Sequence, residues 1–104
     1  MTVPDKLVID HTAGDIVYGE KRAHLPAGRW RFFARLLRSR GHVVGHQLMV
    51  DISETASAIV VRTQLSFIRE VLVDLPLRIE TVWGWGYRLV VEPGIEIQEI
   101  KANG

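Results

Sequence analysis

Residues 79–89, Ile-Glu-Thr-Val-Trp-Gly-Trp-Gly-Tyr-Arg-Leu, read as a short β-hairpin set directly behind a long helical stretch. Ile79, Thr81 and Trp83 alternate along one extended run, and Tyr87, Leu89 and Val91 along the next, which is the period of half-buried strands. Gly84 and Gly86 lie between the runs, where the chain turns tightly and a Cβ would clash. A long helix running straight into a glycine-pinched hairpin narrows the architectures open to the rest of the chain.

The 104 residues suffice for one domain with one core, and a 47% hydrophobic content is ordinary for a globular protein. The chain has no cysteine, so a disulfide framework and a thiolate metal site are excluded. No apolar run approaches membrane-spanning length, and residues 1–6 lack a basic stretch leading into an apolar one, so a soluble, unexported, cytoplasmic protein is expected. A formal net charge of +1 gives little support to nucleic-acid binding by itself. Where the charges fall must carry that argument.

Leu7-Val8-Ile9-Asp10 and Asp15-Ile16-Val17-Tyr18 are strand-like runs separated by Ala13-Gly14, with Ala23-His24-Leu25 a candidate third, so a small antiparallel sheet is expected over residues 7–25. From Pro26 the period becomes helical. Trp30, Phe33, Ala34 and Leu37 share one face, and Arg31, Arg35 and Arg38 another. Pro26 suits a first helical turn and Gly41 a stop, giving a helix over about 26–40. Val43-Val44 is an extended link to a short helix near 45–50, and Ser53-Glu54-Thr55 offers capping chemistry for a third over about 56–73. In that third helix Val61, Leu65, Ile68 and Leu72 form the core stripe, while Arg62, Ser66 and Arg69 fall on another side, flanked by Thr63, Glu70 and Ile59. Pro76 separates it from the hairpin at 78–91. Glu92-Pro93-Gly94 ends the last strand, and residues 92–104 are expected to be a tail or an extra strand outside a domain spanning 1–91.

Residues 81–89, Thr-Val-Trp-Gly-Trp-Gly-Tyr-Arg-Leu, resemble the T-V-R-G-x-G-Y-R-F/L hairpin of the OmpR/PhoB-type winged-helix DNA-binding domains of bacterial response regulators. Residues 25–44 are similar to the family's first helix and its G-x-V-V, with Trp30, Phe33, Leu37, Gly41, Val43 and Val44 at matching positions. Val61, Leu65, Ile68, Arg69 and Leu72 fall where the third helix carries V, I, L, R and L. The resemblance implies an α+β winged helix-turn-helix: a four-stranded N-terminal antiparallel sheet, three helices and a C-terminal β-hairpin wing. It also implies that the third helix enters the major groove of double-stranded DNA, where each base pair shows a distinct donor and acceptor pattern, with the wing at an adjacent minor groove or its phosphates. Tandem or symmetric homodimers are implied as well, and contact with RNA polymerase in activating relatives. The loop at 50–58 that would make that contact is two or three residues shorter than in such relatives.

Arg62 and Arg69 are the first candidates for contact, because guanidinium forks pair bidentately with guanine edges or phosphate oxygens. Read without the resemblance they are solvated helix arginines, one of them with Glu70 as partner. Thr63 and Ser66 could donate to phosphate or base. Gln64 matches a polar contact position, although on the wheel it lies nearer Val60 and Phe67. His46 matches a position often held by arginine at the start of the second helix, near a phosphate and the positive helix end, where a neutral histidine contributes less. Thr81 and Trp83 belong to the wing, and Trp83 stands where the family usually has the arginine that reaches the minor groove. Trp83, Trp85 and Tyr87 invite a base-stacking reading. The plainer reading is wing packing, with Tyr87 in the core and one tryptophan covering the hairpin.

Arg29, Arg31, Arg35, Arg38 and Arg40 form the densest basic run and read first as a solvated face. His42 and His46 are too poorly placed for a metal site, and no cofactor is implied. With no cysteine nucleophile, phosphate loop, metal-spaced cluster or paired acids in a motif, an enzyme is not expected. Two functions remain: a sequence-specific DNA-binding transcriptional regulator, or a protein-interaction module (partner or self-dimer) built on the same fold through Ile59, Val60, Phe67 and Trp83.

Overall fold

The computed structural model describes residues 5–52 and 57–101. Three strands come first, β1 (Leu7–Asp10), β2 (Asp15–Tyr18) and β3 (Lys21–His24), then helix α1 (Ala27–Arg38), a short strand β4 (Val44–Gly45) and helices α2 (His46–Ile52) and α3 (Ala58–Leu72). Strands β5 (Leu77–Val82) and β6 (Gly86–Val91) make the hairpin, and β7 (Ile97–Ile100) closes the described chain. The architecture is α+β, with three helices between two sheets in the order expected.

The turn between β1 and β2 is set by Asp10, whose Oδ1 accepts from the Thr12 amide at 2.9 Å and the Thr12 hydroxyl at 2.6 Å. A short acidic side chain can close such a turn by replacing a backbone acceptor. The Thr12 hydroxyl, followed by its amide, holds the Asp10 carboxyl below the usual range. Strand β3 runs from Lys21, two residues earlier than the sequence predicts, because Gly19 at φ 61° permits a tight turn that pairs Tyr18 with Lys21.

The first sheet has four strands in the order β3-β2-β1-β7, and this differs from the arrangement that the resemblance implies. Among the described residues, three strands precede α1. The fourth is β7, parallel to β1 with Leu7 opposite Ile97 and Asp10 opposite Ile100. The region before Pro26 holds three extended runs and no fourth, which leaves one edge of β1 open, and the isoleucine-bearing tail fills it. Bonds at each end secure it: Leu7 N–H to the Glu96 carbonyl at 2.9 Å and His11 N–H to the Ile100 carbonyl at 2.8 Å. His11 also joins three elements. The Trp30 indole N–H, which can only donate, reaches His11 Nδ1 at 3.3 Å, so the ring proton sits on Nε2, which meets Glu99 Oε1 at 2.8 Å.

One core links both sheets and all helices. Leu7, Ile9 and Ile16 of the first sheet, Phe32, Phe33 and Leu36 of α1, Met49 of α2 and Val61, Leu65, Ile68 and Leu72 of α3 are buried together with Leu77, Ile79, Tyr87 and Leu89 of the hairpin. The α3 stripe is the expected one. On α1 the buried face is rotated from the expected one, with Phe32 and Leu36 inside and Trp30 and Leu37 only partly buried at the rim. The cause is that Trp30 reaches sideways to His11 rather than inward. Helix α2 extends to Ile52, and α3 starts after Ser57, whose side chain makes no capping bond. The capping residues anticipated at 53–55, and with them the middle of the loop predicted to be short (53–56), lie outside the described residues.

Candidate nucleic-acid interface

Because the core stripe consumes one face of α3, the opposite face is left to solvent by the 100° step of the helix. Arg62, Thr63 and Ser66 are exposed there, together with Ile59 and Glu70. The Arg62 guanidinium has no hydrogen-bond or ion-pair partner among the described residues, and the anticipated pairing of Glu70 with one of the helix arginines is not formed. Thr63 donates its hydroxyl to the Ile59 carbonyl at 3.0 Å, which leaves the oxygen free to accept.

Arg69 lies on one flank of this face and turns toward the hairpin. Its Nε donates to the Ile79 carbonyl at 3.1 Å and one amino group to Thr81 Oγ1 at 2.9 Å. Strand β5 is an edge strand of its sheet, so Arg69 supplies a donor to that edge and fixes α3 against the wing. Thr81 is tied by the same bond.

The other flank, about 200° away around the helix from Arg69 at position 67, leans on α1. Arg29 donates Nε to Gln64 Oε1 at 2.9 Å and stacks its guanidinium 4.3 Å from the centre of the Phe67 ring. Gln64 therefore has its carbonyl committed, while its amide remains available. Phe67 and Trp83 consequently stand on opposite flanks of α3. Sequence reading placed Arg29 within a solvated basic run and missed this role, since no local signal connects residues 35 positions apart.

The hairpin is a rigid wing. Residues 83–85 form its turn, closed by the Trp85 amide on the Val82 carbonyl at 2.9 Å, and Gly84 has φ 82°. A Cβ on Gly86 would collide with the Val44 carbonyl, so glycine lets β4 pair with β6 (Val44 opposite Tyr87, Gly45 opposite Gly86). The His46 amide approaches the Trp85 carbonyl at 3.4 Å, and the His46 ring meets the buried Tyr87 ring edge-on at 5.1 Å. Thus His46 sits beside the wing at the start of α2, exposed to solvent.

Both arginines of the wing share one carboxylate, which leaves a net charge of +1. Glu80 accepts from Arg78 at 2.8 Å and from Arg88 at 2.8 Å, and Arg88, then Arg78, hold its carboxyl below the usual range. Residues 81–86 carry no charge at all. At the turn Trp83 is 87% and Trp85 73% exposed, so neither covers the hairpin as predicted. Pairing ends at Val82 and Gly86, and the indoles fall beyond it.

No protein-family model matches the chain, and no curated protein sequence matches it. Solved structures do. The DNA-binding domain of E. coli CadC superimposes with a TM-score of 0.66 at 23% identity, covering 77% of this chain and 81% of that one. The DNA-binding domain of the response regulator AdeR, solved in complex with an intercistronic region, gives 0.65 at 19% identity, covering 89% of this chain and 98% of that one. The likeness establishes the winged-helix fold that these two DNA-binding domains share.

Proposed function

We propose that this chain, with the OmpR/PhoB-type winged-helix fold as premise, is a sequence-specific double-stranded DNA-binding transcriptional regulator. The observation that carries the reading is the exposed face of α3, where the Arg62 guanidinium, the Ser66 hydroxyl and the accepting side of the Thr63 hydroxyl face solvent from a helix held on its other three sides. A helix of this diameter fits the major groove, and an unpaired arginine can bind guanine O6 and N7 together. Arg62 is the leading base or phosphate contact, with Thr63 and Ser66 beside it. Gln64, His46, Thr81 and Trp83 are the flanking contacts. Arg69 lends its charge to the groove but acts chiefly by fixing the wing relative to α3.

Because Glu80 pairs with both wing arginines and leaves them a net charge of +1, few phosphates would be matched by free cations. Affinity should therefore fall only shallowly with salt, with a log–log slope of roughly −2 to −4. Selection of bound sequences from a random pool of duplexes tests the proposal and reports half-site spacing, which reveals whether two copies bind in tandem or as a symmetric pair. With a selected duplex, Arg62→Ala is expected to cost about 1–3 kcal/mol. If the variant binds as tightly as the parent, the α3 assignment is wrong.

A protein-interaction module is the second reading, and the exposure of Ile59 and Phe67 on α3 and of Trp83 on the wing favours it. A partner, RNA polymerase included, that protects Phe67 and Trp83 from solvent while the chain retains no DNA at low salt would replace the first reading with this one.

A further inference from the structure

The two tryptophans of the wing tip are the most exposed large aromatic side chains of the described residues, at 87% and 73%, and they flank a glycine in a turn of three residues. Neither ring packs on another ring, and neither indole N–H has a hydrogen-bond partner among the described residues. Their support is nonetheless stiff. Gly86 is pressed against β4, the Trp85 carbonyl faces the His46 amide, and Arg69 clamps β5 two residues before Trp83. The indoles are thus held out on a short, fixed mount beside the exposed face of α3.

We propose that Trp83 and Trp85 form an apolar wedge that enters the minor groove, opens a base step and kinks the duplex. The proposal rests on the DNA-binding reading above and adds a distinct mode of contact to it. Three observations choose this occupant. Residues 81–86 have no charge, so the tip offers no cation to phosphates, and its two indoles favour stacking and apolar contact. The pair offers roughly 400 Å² of aromatic surface, about half of what one side of a stable protein interface needs, yet two indole faces match the faces of bases. Free indole donors also suit the minor groove, where A·T pairs present only acceptors. Apolar side chains that enter a base step kink DNA by roughly 20–90°, and pyrimidine–purine steps open most cheaply.

The test uses the full chain and a duplex of about 30 base pairs recovered from the random-pool selection, labelled at both ends for energy transfer. Wild type should bring the ends closer, and the selected sequences should carry a TA or CA step at a fixed offset from the α3 site. Trp83→Ala with Trp85→Ala should bind roughly 5- to 150-fold more weakly and leave the duplex straight. Its melting temperature should equal that of wild type, since both rings are exposed. Iodide quenching gives a second readout, because the remaining tryptophan, Trp30, is packed against Phe33 and His11. Bound DNA should shield the wing indoles from iodide. A straight duplex under wild type, or indoles still open to iodide in the complex, overturns the wedge and leaves DNA binding standing. Failure to retain any duplex of the pool at low salt overturns both.

Discussion

Arg69→Met isolates the joint between α3 and the wing. The change removes the bonds to the Ile79 carbonyl and to Thr81 Oγ1 while a methionine of similar length keeps the stem packing. Hydrogen bonds from charged donors contribute about 1.5–3 kcal/mol each when enclosed, and partial exposure of Arg69 lowers that to about 1 kcal/mol each. The expected loss is therefore about 2 kcal/mol, or a fall in melting temperature of roughly 8–15 °C for a domain of this size. Thr81→Val removes one acceptor, preserves the strand-favouring shape and should cost about 1 kcal/mol. The double variant should lose less than the sum, with a coupling of roughly 0.5–1 kcal/mol in guanidinium titrations. Additivity to within about 0.3 kcal/mol would show that the two side chains do not act on each other. DNA titrations test both roles at this joint. Thr81→Val keeps the arginine cation, so parental affinity for this variant refutes both the positioning role of Arg69 and the flanking contact by Thr81.

Other outcomes follow from the same structure. Gly86→Ala should destabilise the chain by roughly 2–3 kcal/mol, measured by denaturant midpoint, since its methyl group would push β4 off β6. Phe33→Ala, at a fully buried ring, should cost about 3–5 kcal/mol, and a loss under about 1 kcal/mol would contradict the packing described. Asp10 and Glu80 are both held below their reference values of 3.8 and 4.5, so their contribution is complete above those values and is lost as pH falls through the lower folded values. Urea midpoints taken from about pH 6 down to about pH 3 should fall less steeply for Asp10→Asn with Glu80→Gln than for the parent.

The hairpin and α3 were legible because each repeats a strong local period: apolar residues spaced four, three and four along the helix, and glycines at a turn between alternating strands. Tyr87 in the core is what the resemblance to the family's hairpin implied, and the ring is buried. Trp83 was not legible, because the apolar–polar beat continues through residue 83 while hydrogen-bonded pairing stops at 82, and a periodicity cannot see where a ladder ends. The face of α1 was mistaken for a related reason. Trp30 is apolar enough to count toward the core, yet its indole N–H draws it to His11 at the rim. The arginines were the least legible group. Arg29 and Arg69 each serve a partner on another element, whereas Arg62 on the same helix serves none among the described residues, and three identical side chains carry no mark of this in sequence.

The parallel pairing of β7 with β1 has a consequence in time. Leu7 and Ile97 stand 90 positions apart, and closing a loop of that length costs about 4 kcal/mol of chain entropy beyond a constant, against about 1 kcal/mol for the turns of the neighbouring hairpins. During synthesis β1 therefore waits for β7, which is made about 90 residues later. Until residues 97–100 have left the ribosome, β1 presents an open edge to any passing strand, while the helices and the wing, built from near neighbours, can already assemble. Completion of this sheet should be the slow phase of refolding, and a burst of wing and helix formation ahead of it should be visible by hydrogen exchange. The vulnerable interval of this molecule is then the period before β7 arrives.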